Sequence, residues 1–205
     1  MADWSTLTPA LVTFPQEAKL IIEHVLAPMM GMLTVICQFI GFGFILYGMM
    51  RLNRAGHHHM MHRVSPWGTA MAFVAGTILA SFTPEISALS NSIWGVNHAF
   101  IHTCPAGSMS GKENIYYCPI MGYAKEINNV VPGEDPTVQA VKVLGYAVLF
   151  LFGVIAFIRG FVQLVFLGEG GQQGGLTKAV THIFAGTAGV NAEHVYNLFK
   201  SILSI

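Results

Sequence analysis

The chain has 205 residues, 53% of them hydrophobic and only 10% charged, with a mean hydropathy of +0.57. Soluble domains carry charge on about a quarter of their residues, so this composition excludes an ordinary soluble domain and points to a membrane. Ten Lys and Arg balance ten Asp and Glu, which leaves no basic surplus for phosphate attraction and argues against direct sequence-specific nucleic-acid binding.

Residues 1–24 do not read as a cleaved signal peptide, because Asp3, Pro9, Pro15 and Glu17 precede any apolar run and no basic segment opens the chain. They are expected to remain as an extracytosolic N-terminus, with Phe14 to His24 forming a short amphipathic helix on the membrane surface. Residues 25–50 carry no Asp, Glu, Lys or Arg, long enough for a first span across a hydrocarbon core of about 30 Å. Cys37 within it reads as a small packed hydrophobe.

Residues 51–66 form a loop holding Arg51, Arg54 and Arg63, and basic residues in short loops mark the cytosolic side. The same loop groups His57, His58, His59 and His62 with Met49, Met50, Met60 and Met61. Imidazole and thioether donors together suit copper, so a metal transporter or sensor is the alternative function. Against it stand the three arginines, and no carboxylate or cysteine completes the set. Residues 67–83 form a second span in which Gly68, Ala72, Gly76 and Ala80 recur every fourth position, a ridge that lets helices approach closely and is expected to mediate oligomerisation. Gly145, Gly153 and Gly160 give a weaker version in the third span.

By alternation, residues 84–139 lie outside the cytosol. There Cys104 and Cys118, with thirteen residues between them, can form a disulfide, and closing that loop contributes roughly 3 kcal/mol in a chain-entropy account. His98 and His102 beside Cys104 raise zinc as a lesser reading. Residues 140–167 form a third span containing Arg159. A charge at that depth costs at least about 2.5–3.5 kcal/mol, so it must either pair, with Glu193 or Glu169, or snorkel to lipid phosphates. A cytosolic Gly-rich turn over 168–175 leads to a polar fourth helix, 176–205, that packs inside an assembly or lies in the interface. No nucleophile elbow, H-E-x-x-H, P-loop or dinucleotide fingerprint occurs, so no catalytic residue is assigned and the chain is read as a non-enzyme.

The run from Gly174 and Gly175 through Lys178, Ala179, His182, Ile183 and Gly186 to Asn191 resembles the tail of small inner-membrane proteins of Dot/Icm-type (type IVB) secretion and conjugation systems, the IcmC/DotE family and the related TraQ transfer protein. The resemblance implies a structural subunit of a multiprotein conduit moving protein or DNA across a bacterial inner membrane. It also implies Lys178, His182, Gly186 and Asn191 as the tail motif. The two apolar segments around a basic turn, Met32 to Thr83, also resemble the small pilins of type IV secretion systems, which would imply an extracellular filament. Expected partners are membrane lipid, further copies and other secretion subunits, with bound phospholipid in place of any cofactor.

The expected fold is an all-α membrane protein of three to four long helices, a short N-terminal amphipathic helix and a disulfide-closed outer loop. Non-reducing peptide mapping of protein from its native membrane should recover Cys104 linked to Cys118; two free thiols would contradict that loop and weaken the topology.

Overall fold

A computed structural model describes residues 8–56, 66–94, 123, 127, 135–168 and 175–203. The chain is all-helical, without a strand among these residues. Helix α1 (Thr8–Ile21) runs through a π-helical turn, Ile22–Leu26, into α2 (Ala27–Gly56); α3 (Pro66–Ala80) and α4 (Phe82–Trp94) follow. The long α5 (Pro136–Gly168), α6 (Gly175–Val190) and α7 (Ala192–Leu203) complete the described order.

Two helical stretches, Phe14–Arg54 and Pro136–Leu167, are long and apolar enough to cross a membrane. The N-terminal helix therefore does not stand apart from the first span. The join is the π turn, where the Ala27 N–H donates to the carbonyl of Ile22, five residues back. Pro28 explains it: a proline has no N–H for the His24 carbonyl, and its ring crowds that oxygen, which a wider turn relieves. Helix α1 also starts before Phe14, which puts Pro15 inside it. The N-terminus of α5 has Asp135 ahead of Pro136, an acceptor residue at the cap followed by the ring whose missing N–H would be unpaired in any helix.

The second expected span is shorter than 67–83. Helix α3 holds 15 residues, about 22 Å at helical rise, less than a bilayer core. It bends after Ala80 because Pro84 cannot donate to the Ala80 carbonyl and because the Ser81 hydroxyl instead occupies the carbonyl of Thr77 at 3.0 Å. The expected fourth helix is likewise two, α6 and α7, divided at Asn191. Its side-chain amide donates to the Thr187 carbonyl at 2.8 Å.

These two bends are one design used twice. Each half of the chain is a long helix, a short helix packed back on it, and an amphipathic helix after a polar bend: α2, α3, α4 and then α5, α6, α7. Gly41 and Gly48 are each followed 112 residues later by Gly153 and Gly160, and Ala75, Gly76, Thr77 recur 110 residues later as Ala185, Gly186, Thr187. The hydrogen bonds recur with them. Thr77 donates its hydroxyl to the carbonyls of Phe73 and Val74, and Thr187 to that of Phe184. The Glu85 N–H donates to the Ser81 carbonyl as the Val195 N–H does to that of Asn191.

The two units lie side by side. Helix α2 packs on α3, α3 on α5, and α5 on α6, so α2 and α6 form the flanks, while α1 also packs on α5. The core between units is apolar: Phe82 meets Phe157 edge-on at 6.0 Å, and Phe157 packs against Phe161 at 4.8 Å between centroids.

Glycine sets the spacing within each unit. A Cβ on Gly186 would stand 2.6 Å from the Phe157 nitrogen and 2.8 Å from the Gly153 carbonyl oxygen, while one on Gly145 would meet nothing within 4 Å. Gly186→Ala should therefore lose about 1–3 kcal/mol, read as a lower unfolding temperature in detergent, whereas Gly145→Ala should gain about 0.5–1 kcal/mol from helix propensity. Equal effects of the two would refute the close crossing.

Candidate functional site

The chemistry-bearing residues named from sequence do not converge on one pocket. His57, His58, His59, His62, His98, His102, Cys104 and Cys118 lie outside the described residues. Among the described residues no three His, Cys, Asp or Glu side chains gather to hold a metal, and Cys37 is a free, buried thiol. An open hollow of about 390 Å³ lined by Pro15, Gln16, Lys19, Leu20, Glu23 and Ile127 contains the Lys19–Glu23 pair at 3.8 Å, one helical turn apart. A part-exposed pair of that kind contributes only a few tenths of a kcal/mol.

The ridge Gly68, Ala72, Gly76 and Ala80 is occupied within the chain, and this corrects its assignment to oligomerisation. A Cβ on Gly76 would stand 2.9 Å from the Gly41 carbonyl oxygen and 2.8 Å from Ile45 Cγ1; one on Gly41 would stand 2.7 Å from the Gly76 oxygen and would press still closer on the Ala80 nitrogen. The partner helix is thus α2. Gly68 and Ala72 are buried as well. Gly153 and Gly160 play the same part for α6, where the partners are Gly186, Val190 and Ile183, while Gly145 is open.

The four tail-motif residues separate into two pairs. Gly186 and Asn191 are buried and structural: one lets α6 touch α5, the other makes the bend. Lys178 is exposed and His182 half-buried, one turn apart on α6. His182 Nδ1 lies 2.8 Å from the Lys178 carbonyl; since a carbonyl only accepts, Nδ1 carries the hydrogen.

Arg159 and Glu193 are not brought together. Val190 seats against Gly153 and Tyr196 lies 6.3 Å from Tyr146, so Glu193 sits about 10–15 Å along α5 from Arg159 by the helical rise. Arg159 is exposed on the outer surface of α5, and among the described residues no carboxylate lies within ion-pairing distance of it. That position suits snorkelling toward lipid phosphates.

What the helices present outward is apolar surface. On α2, Met32, Phe39, Phe42, Leu46 and Met49 are exposed, and on α5 Phe152, Ile155 and Phe166. A patch on this scale marks contact with lipid or protein. The buried Gln163 Oε1 of α5 and Trp94 Nε1 at the end of α4 have no hydrogen-bond partner among the described residues.

The sequence reading missed the paired bends at Ser81 and Asn191 and the Phe82–Phe157 contact between units. The signal for the bends was present in the doubled Ala-Gly-Thr. No protein-family model matches the chain, and no curated protein or solved structure is similar to it.

Arg159→Leu should leave folding stability within about 0.5 kcal/mol of the parent, as for a surface position away from any network, measured by thermal unfolding in detergent. A loss above about 2 kcal/mol would reveal a buried ionic partner.

Proposed function

We propose that this chain is a structural subunit of a multiprotein conduit in a bacterial inner membrane, of the type IVB secretion or conjugation kind, through which protein or DNA passes. The observation that carries the reading is the outward apolar surface of α2 and α5, on two helices each long enough to cross. Such a surface serves embedding and assembly rather than a reaction. The resemblance of the tail supports the same reading, since Gly186 and Asn191, two of its residues, are the ones that shape the second unit.

In this reading the chain is multi-pass. The basic loop with Arg51, Arg54 and Arg63 is cytosolic, the two long helices cross, and α3 and α6 enter from the cytosolic side beside them. The outer segment between the units is closed by Cys104 and Cys118. Lipid covers the outward faces not taken by protein, and phospholipid headgroups meet Arg159.

Deletion of the gene should abolish protein or plasmid transfer between cells while leaving cellular copper and zinc unchanged. The quadruple change of His57, His58, His59 and His62 to Ala should retain transfer. Metal sensitivity in the quadruple variant, with normal transfer in the deletion strain, would overturn the conduit in favour of metal handling.

A further inference from the structure

The two units of this chain meet through a contact whose halves are both repeated, uncovered, on the flanks. A quarter turn round α5 from its glycine face, Ala147, Val154 and Phe161 recur every seventh residue and are buried, the last two one helical turn to either side of Phe157, which meets Phe82 of the first unit. The equivalent positions on α2, 112 residues earlier, are Val35, Phe42 and Met49. They are as apolar, and they are open: Phe42 is 59% and Met49 55% exposed, against 0% for Val154 and 4% for Phe161.

The other half behaves in the same way. On the first unit, Ala75, Phe82 and Ile86 are buried along a face that looks toward the second unit, as the Phe82–Phe157 contact places it. Their equivalents 110 residues on are Ala185, Ala192 and Tyr196. Ala185 is exposed, Ala192 half-buried, and Tyr196 is 50% exposed against 3% for Ile86. Each flank thus carries one uncovered half of an interface that the molecule already makes once, in the same helices and at matching register.

We infer that a second copy of this chain covers these faces, with α6 and the start of α7 of one protomer docked on the Val35, Phe42, Met49 face of α2 in the next, in the manner in which α3 and Phe82 at the start of α4 dock on α5. The occupant follows from the repeat: α3 and Phe82 fit the buried face of α5, and α6 and α7 are their equivalents as α2 is the equivalent of α5. Because the two faces differ, the contact is head-to-tail, and it propagates into a ring or a helical filament and not a closed pair. Small residues at Ala185 and Ala192 allow the close approach that membrane helix pairs need.

The inference shares with the conduit reading only the membrane setting. The test places p-benzoylphenylalanine at Phe42 in the full-length chain and irradiates native membranes. The expected product is a ladder of dimer and higher adducts whose cross-linked peptide falls within residues 185–199 of another copy. Ala185→Trp, which sets bulk on an exposed position, should reduce the adduct at least tenfold while helix content and unfolding temperature stay unchanged. Adducts to lipid alone, adducts joining position 42 to position 42, or capture undiminished by Ala185→Trp would each overturn the head-to-tail contact. Capture in a strain whose transfer does not depend on this chain would retain the interface and remove the conduit.

Discussion

At Gly41 with Gly76, and again at Gly153 with Gly186, two helix backbones meet with no side chain between them. In a bilayer the tails of the lipids are as apolar as leucine, so burial of apolar surface gives helices little reason to associate. Close van der Waals contact and weak Cα–H to carbonyl contacts must hold them instead. Both need the short distance that glycine alone permits. The rest of each unit follows from this contact: once the short helix is seated against the long one, the bend at Ser81 or Asn191 directs the amphipathic helix, and the remaining faces of the long helix are left for the other unit and for the membrane.

Building the chain twice has a mechanical consequence. Two equivalent units that packed through the same faces would form a twofold pair and stop. Here α3 lies against α5, whereas α2 and α6 are the flanks, so the relation between units is directional. A directional contact leaves one donor face and one acceptor face unused, and both remain apolar on this molecule. The second unit is not a copy in every respect: Lys178 and His182 replace small residues, and Pro84 has no counterpart, His194 standing in its place. The differences gather on α6 and α7, where the second unit faces outward.

Much of this was legible in the residues. The charge-free window 25–50 marks α2, and the apolar run 140–167 marks α5 although Arg159 interrupts it, because a crossing helix needs about 20 mostly apolar residues; the other charge-free window, 67–83, is the shorter α3. The every-fourth-residue ridge of Gly68, Ala72, Gly76 and Ala80 gave a packing face, though spacing alone does not name the partner helix; the packing identifies it as α2 of the same chain. The fourth helix was read as one because Asn191 is a polar residue in a helical pattern, and only its bond to the Thr187 carbonyl shows it as a bend. For Arg159 the residues leave pairing and snorkelling both open, because spacing does not say which side of α5 it occupies, and that side is an exposed one. The duplication was present as Ala-Gly-Thr at 75–77 and 185–187, but three residues in a Gly- and Ala-rich chain acquire meaning only when the hydrogen bonds around them repeat.

The central claim is that one directional contact joins unit to unit, both inside a protomer and between protomers. Electron-microscopic projections of the assembly extracted in its native lipid test it directly, because the lobes and their spacing can be counted without any substitution. The account predicts a ring or filament with two like lobes per protomer at near-uniform spacing along its path. Isolated protomers, or pairs related by a twofold axis, would contradict it.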